Sequence, residues 1–187
     1  MGIWLIVLLA LIVVVVVGGI ASYNRFVSQR NLIKDAWANI DTELRRRYDL
    51  IPNLVATVQG YAAHEKEVFE NVTKARAMAT AATGSPAAQA AAEGPFVAAL
   101  RQLLAVAENY PQLKANENFL ALQAELSNTE DRLQTARRFY NGNVRDFNTK
   151  IQVFPTSLFA SMLGFTARDF FEVENQAEVE KPVEVKF

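Results

Sequence analysis

His64 and Glu65 place an imidazole beside a carboxylate, the smallest pairing that can carry general acid–base transfer. His64 is the chain's one histidine, which excludes a multi-histidine metal site and leaves a histidine-based triad only through that residue. A di-iron carboxylate centre needs Glu-x-x-His on two helices and two further glutamates. Tyr61, not a glutamate, stands three residues before His64. Glu125 and Glu130 offer a second pair of carboxylates, but at five residues apart they sit on different faces of one helix and do not converge. Cysteine is absent, so disulfides, thiolate zinc sites and cysteine nucleophiles are excluded. The chain carries neither a glycine-rich phosphate loop nor a nucleophile elbow. A lone histidine on a helix surface is ordinarily solvated. The expectation is therefore no catalytic, cofactor-binding or metal-ligating residues, and no enzyme.

Two other groupings carry charge or hydrogen-bonding capacity. Arg45-Arg46-Arg47 is the strongest basic cluster. It suits lipid headgroups or an acidic partner, or simply a solvated helix end favoured by the dipole. On a straight helix leaving the membrane, Arg46 stands about 35 Å from the boundary, well beyond a Debye length of about 8 Å, which favours the solvated end, with Arg47 free to pair internally. Thr129, Glu130, Arg137, Asn141 and Asn148 fall at near-core phases of a long helical stretch, where polar groups need partners. With Arg47, Asn53 and Tyr140 they form either an internal network that fixes helix register or a binding face for a partner strand or peptide.

The elements that must position these groups begin with an anchor. Residues 2–21 contain no charge, and Ile3 to Val17 is almost entirely Leu, Ile and Val. About 20 apolar residues suffice to cross a bilayer as a helix. Gly19-Ile20-Ala21 resembles a small-x-small cleavage site, the argument for a removed signal peptide. Against it, no Lys or Arg precedes the run, and the run exceeds the roughly 7–15 residues of a signal core. A retained anchor over residues 1–22 is the better reading. Arg25, Arg30, Lys34 and Arg45 to Arg47 follow the span, so the positive-inside bias predicts an inner-membrane, single-pass protein with its N-terminus outside and its bundle in the cytoplasm. A net charge of −1 gives no electrostatic footprint for nucleic acid.

Helical periodicity then predicts four stretches. Ile33, Trp37, Ile40, Leu44 and Tyr48 mark the first, which continues from the anchor as a rod of roughly 70 Å, able to bend at Gly18-Gly19. Asp49 to Pro52 reads as its boundary, because proline lacks a backbone donor. The second runs from Pro52 to about Thr80, with Leu54, Val58, Tyr61, Val68, Val72 and Ala75 inward and Gly60 at a close helix approach. Ala81 to Gly94 is low in complexity and reads as a flexible loop. A short third helix spans Pro95 to Glu108. The fourth carries Phe119, Leu122, Leu126, Leu133, Ala136, Tyr140, Val144, Phe147 and Ile151 before Phe154-Pro155 stops it. Leu158, Phe159, Met162, Phe165, Phe170 and Phe171 follow, as a short closing helix, a membrane-interface contact or an assembly contact. Residues 172–187 are an acidic tail, expected to be frayed or weakly extended.

The predicted fold is all-α: an N-terminal transmembrane helix followed by an elongated antiparallel helical bundle over residues 23–171. Tyr23-Asn24, Arg30-Asn31, Ala36-Trp37, Ile40-Asp41 and the run Arg46-Arg47-Tyr48-Asp49-Leu50-Ile51-Pro52-Asn53-Leu54-Val55 resemble the LemA family of bacterial membrane proteins. Gly60-Tyr61-Ala62, His64-Glu65, Asn118-Phe119, Glu125-Leu126, Thr129-Glu130, Ala136-Arg137, Tyr140-Asn141 and Phe154-Pro155 continue the resemblance. It implies a single-pass anchor and a helical bundle without an established reaction, and one branch is similar to proteins that organise magnetosome membranes. No catalytic residue carries over. The expected function is a non-enzymatic, membrane-anchored scaffold that self-assembles as a homo-oligomer and touches the bilayer through its N-terminal helix. The alternative is an accessory or adaptor subunit for a membrane-protein partner, such as an envelope-stress protease.

Overall fold

The computed structural model describes residues 2–82 and 84–172. Among the described residues six helices follow one another: α1 (Gly2–Gln59), α2 (Lys66–Ala81), α3 (Pro86–Glu108), α4 (Pro111–Lys114), α5 (Glu117–Gln152) and α6 (Thr156–Met162). Among the described residues no strand occurs. The expectation for the acidic tail falls almost wholly outside the described residues. The chain forms two compact units, to each of which α1 and α5 contribute a segment.

The first unit holds residues 1–37 and 139–168. Its apolar stretch from Ile3 to Val17 is exposed at every position. From Phe26 onward the same helix packs: Phe26, Ile33 and Ala36 are buried. The ring of Phe26 meets Phe147, and Trp37 meets Tyr140, so the two helix segments run antiparallel. α6 ends in a Schellman motif. Gly164 takes a φ of +71°, Phe165 N–H donates to Ala160 O at 3.0 Å and Gly164 N–H to Ser161 O. That left-handed turn, open to glycine without a Cβ clash, aims Phe165 at the rings of Phe26 and Phe147.

The second unit holds, among the described residues, those of 38–138 and 169–172. Its helices go up, down, up and down. Arg76 of α2 lies beside Tyr48 of α1, Glu93 of α3 and Glu130 of α5 flank Arg47, and Asn116 before α5 reaches Tyr61 after α1. Ile40, Leu44, Ile51, Leu54, Val58, Phe69, Val72, Phe96, Leu103, Phe119 and Leu133 fill the core. α3 is long and apolar enough to cross a membrane by composition, as is α1. The burial of Phe96, Leu100 and Leu103 makes it a core helix of this unit.

Three sequence expectations change. Pro52 does not end a helix; α1 runs through it to Gln59. A helical proline orphans the carbonyl four residues back, here that of Tyr48, and Arg76 Nε donates to this oxygen at 2.6 Å. The helix instead stops at Gly60, whose missing Cβ would meet only carbonyls of its own last turn. No close helix approach is involved there, and Tyr61 is exposed rather than inward. Finally, the expected loop over 81–94 shrinks to the few residues before Pro86. Ser85 Oγ accepts from Ala88 N–H at 3.2 Å, Pro86 occupies the first turn, and the alanines that follow have the best helix propensity of any residue.

Candidate functional site

Among the described residues Arg47 is the largest buried polar side chain, 2% exposed on the inner face of α1. One guanidinium nitrogen donates to Glu130 at 2.8 Å and the other to Glu93. Tyr48, the next residue, donates its hydroxyl to the same Glu93 carboxylate. Gln89, one turn before Glu93, donates to the Tyr48 oxygen at 3.1 Å and to the Ala79 carbonyl at 3.0 Å. Phe96 closes the cluster, with the Arg47 guanidinium 5.2 Å from its ring centre and the Tyr48 ring edge-on. Four helices are thereby joined through one charged centre. On α5, Thr129 is buried and bonds its own helix at the Glu125 carbonyl. Arg137 stacks on Phe171 of the returning chain, at 5.3 Å.

The electrostatics are balanced, with Arg47 and Arg137 against Glu93 and Glu130. Burial lowers the Arg137 pKa, Glu130 opposes that shift and Arg47 adds to it. An ion pair taken out of water gains little net stability over a well-packed apolar pair, but removing one member is strongly destabilising. The arrangement therefore specifies register. A helix displaced by one turn leaves Arg47 without its carboxylates.

Burial raises the Tyr48 phenol above its ordinary 10.0; the neighbouring Arg47 charge and the Gln89 hydrogen bond oppose the shift, and Asp41 adds slightly to it. A group that holds its proton more tightly when folded contributes stability below its unfolded pKa and loses it as pH rises through the folded one. Arg137, shifted down by burial, has the opposite slope at higher pH. The urea midpoint is expected to fall between about pH 9 and about pH 11. Tyr48→Phe should be less stable than the parent at pH 8, by about 1.5–3 kcal/mol for the lost bond to a charged acceptor, yet lose less on going alkaline. An equal alkaline loss in both proteins would assign the effect elsewhere.

The other candidate positions fall in both units. Asn53 lies on the exposed face of α1, away from the charged cluster. In the first unit, Tyr140 is buried against Trp37 and Asn141 is half-buried on α5. Asn148 uses its amide as a substitute peptide group. It donates to Arg168 O at 2.9 Å and accepts from Arg168 N–H at 2.8 Å, pinning the returning chain. His64 is exposed in the turn after α1, and Glu65 caps α2 without a side-chain cap bond. Phe171 is buried, Phe165 is half-buried among rings, and Phe159 lies over Gly18 and Gly19. Phe170 is half-buried, while Leu158 and Met162 are exposed. Glu93 and Gln89 are the members of the charged cluster that sequence reasoning missed. The signal was present: Gln89, Glu93 and Phe96 fall at steps of four and three in an otherwise small-residue stretch.

Residues 36–187 match the LemA family, most of the chain and the whole of the second unit's described part. The chain belongs to the LemA family. It is 27% identical over 175 residues to the Magnetosome protein MamQ 2 of Paramagnetospirillum magneticum, covering 80% of this chain and 64% of that protein. The Magnetosome protein MamQ of Magnetospirillum gryphiswaldense is 25% identical over 174 residues, with the same coverage of 80% and 64%. Protein LemA of Metamycoplasma hominis is 26% identical over 140 residues, covering 75% of this chain and 64% of its own. The chain thus spans about 64% of the length of these curated relatives. With the exposed apolar segment of α1, the family places this chain among bacterial membrane-associated helical proteins.

Proposed function

We propose that this LemA-family chain is a non-enzymatic scaffold, held in the bacterial inner membrane by α1 and assembling with further copies of itself on the cytoplasmic side. One observation carries the reading. The exposed apolar stretch passes, without a helix break, into Phe26, Ile33 and Ala36, which are buried. The anchor is therefore a packed helix of the first unit and not a tether on a loose linker. Gly18 and Gly19 lie against Phe159, a contact that a removed signal peptide would not need. Arg25, Arg30 and Lys34 directly after the span support the cytoplasmic side, and relatives named as magnetosome proteins support a role in organising a membrane-bound structure.

A single thiol tests both parts, because the chain has no cysteine. Ser85 is unsuitable since it caps α3, whereas Ala87 is exposed in the first turn. Full-length Ala87→Cys is expected to resist an impermeant maleimide in intact cells and to label after lysis. A bifunctional maleimide applied to native membranes should give a ladder of homo-oligomers. Labelling in intact cells overturns the cytoplasmic side. A strictly monomeric band in membranes and in mild detergent overturns self-assembly, and a single heterologous adduct of fixed mass favours an accessory subunit.

A further inference from the structure

The first unit leaves an apolar corner in water. Val153 and Phe154 follow α5, Leu158 and Met162 sit four residues apart on one face of α6, and Leu163 ends that helix. Phe154 is 80% exposed, Met162 83% and Leu158 57%. Single exposed apolar residues are ordinary, but a contiguous set of large ones marks a covered surface. What covers it follows from level. Residues 3–21 make about 28 Å of helix at 1.5 Å per residue, close to a hydrocarbon core of about 30 Å, so Gly18 to Ala21 lie at the membrane boundary and the first charge is Arg25. α6 is tied to that level by Phe159. A methyl built on Gly18 would stand 3.7 Å from its ring and one on Gly19 3.5 Å, ordinary van der Waals contact. The inward residues of α6, Phe159 and Ala160, hold it against the unit. Its outward face then stands at the level where the exposed apolar surface of the anchor ends.

We propose that α6 and the turn before it rest in the headgroup–acyl boundary of the bilayer, with Phe154, Leu158 and Met162 inserted beside the anchor. An amphipathic helix lying in this plane buries its apolar face by several ångströms. The corner gives the first unit a second lipid contact, which fixes its rotation about the anchor. This inference rests on the anchor alone and stands or falls independently of self-assembly.

The test uses the full-length chain, reconstituted in phosphatidylethanolamine–phosphatidylglycerol bilayers, with one nitroxide per molecule at Met162→Cys. Ile12→Cys serves as the lipid reference and Asp35→Cys, exposed further along α1, as the aqueous one. The expected result is that Met162 collides more with oxygen than with a soluble nickel chelate, as Ile12 does, and that Asp35 shows the reverse. Nickel access at Met162 equal to that at Asp35, with Ile12 still protected, overturns the proposal while leaving the anchor intact. Protection from both relaxants together with spin–spin broadening that vanishes on dilution with unlabelled chain also overturns it, and assigns the corner to a second copy.

Discussion

Replacing Glu93 by alanine is expected to destabilise the second unit by about 3–5 kcal/mol, the range for stranding a buried charge. Glu93 is 1% exposed, and it is the acceptor for both Arg47 and Tyr48. Without it, Arg47 keeps only Glu130, whose side chain is 38% exposed and already partly hydrated. The Tyr48 hydroxyl keeps only the bond it accepts from Gln89. For a chain of this size such a loss shifts the melting midpoint by roughly 10 °C. The control is a paired replacement, Glu93→Leu with Arg47→Met, which removes both charges and keeps volume. Buried pairs exchanged for apolar residues are often neutral, so the double variant should recover most of the stability while losing resistance to register shifts. Denaturant midpoints of the full chain in mild detergent check both. A loss below about 1 kcal/mol for Glu93→Ala would mean that this carboxylate is solvated, as a flexible segment over 81–94 would require.

That contrast shows where the sequence was readable. α5 was legible from end to end, because Phe119, Leu126, Leu133, Tyr140, Val144 and Phe147 repeat at helical steps and all are buried. Glu130 and Arg137 stood out as polar groups at near-core phases of α5, and Arg47 as a member of a basic cluster able to pair internally. Their meeting point did not, because Glu93 joins Arg47 across 46 residues of sequence and sits in a stretch whose alanines look like low complexity. Alanine in that stretch signals helix by propensity and close packing by size. Pro52 misled for a related reason. Its local rule is sound, but the compensation comes from Arg76, 28 residues from the Tyr48 carbonyl that it rescues. A local rule cannot register a partner supplied by another helix. α6 was legible as an apolar segment with a short closing helix among its readings, and seven residues carry too few turns for a period to decide between them.

The second large effect is expected in the first unit. Phe147→Ala should destabilise by about 3–5 kcal/mol, the range for emptying a buried phenylalanine site. Phe147 is fully buried, with Phe26 edge-on at 6.0 Å and Phe165 at 6.3 Å. Phe26 and Phe165 are themselves 4.9 Å apart, so the three rings form one cluster joining α1, α5 and the chain after α6. Removing the middle ring cannot be repaired by collapse on one side without opening a gap on the other, and close-packed interiors relax only in part. The consequence reaches beyond stability. Phe165 and the Asn148 clamp on Arg168 are two of the ties on the returning chain. With the ring site emptied, the amide of Arg168 should exchange with solvent faster than in the parent. Phe154→Ala is the matched control, the same substitution at an 80% exposed ring, and in detergent it should change stability by no more than about 0.5 kcal/mol. Equal losses at Phe147 and Phe154 would remove the distinction between a ring that holds α1 against α5 and a ring that faces outward. A large loss at Phe147 alone, with faster exchange at Arg168, ties the anchor helix to α6 through packing and keeps the corner at Leu158 and Met162 at the height where lipid can meet it.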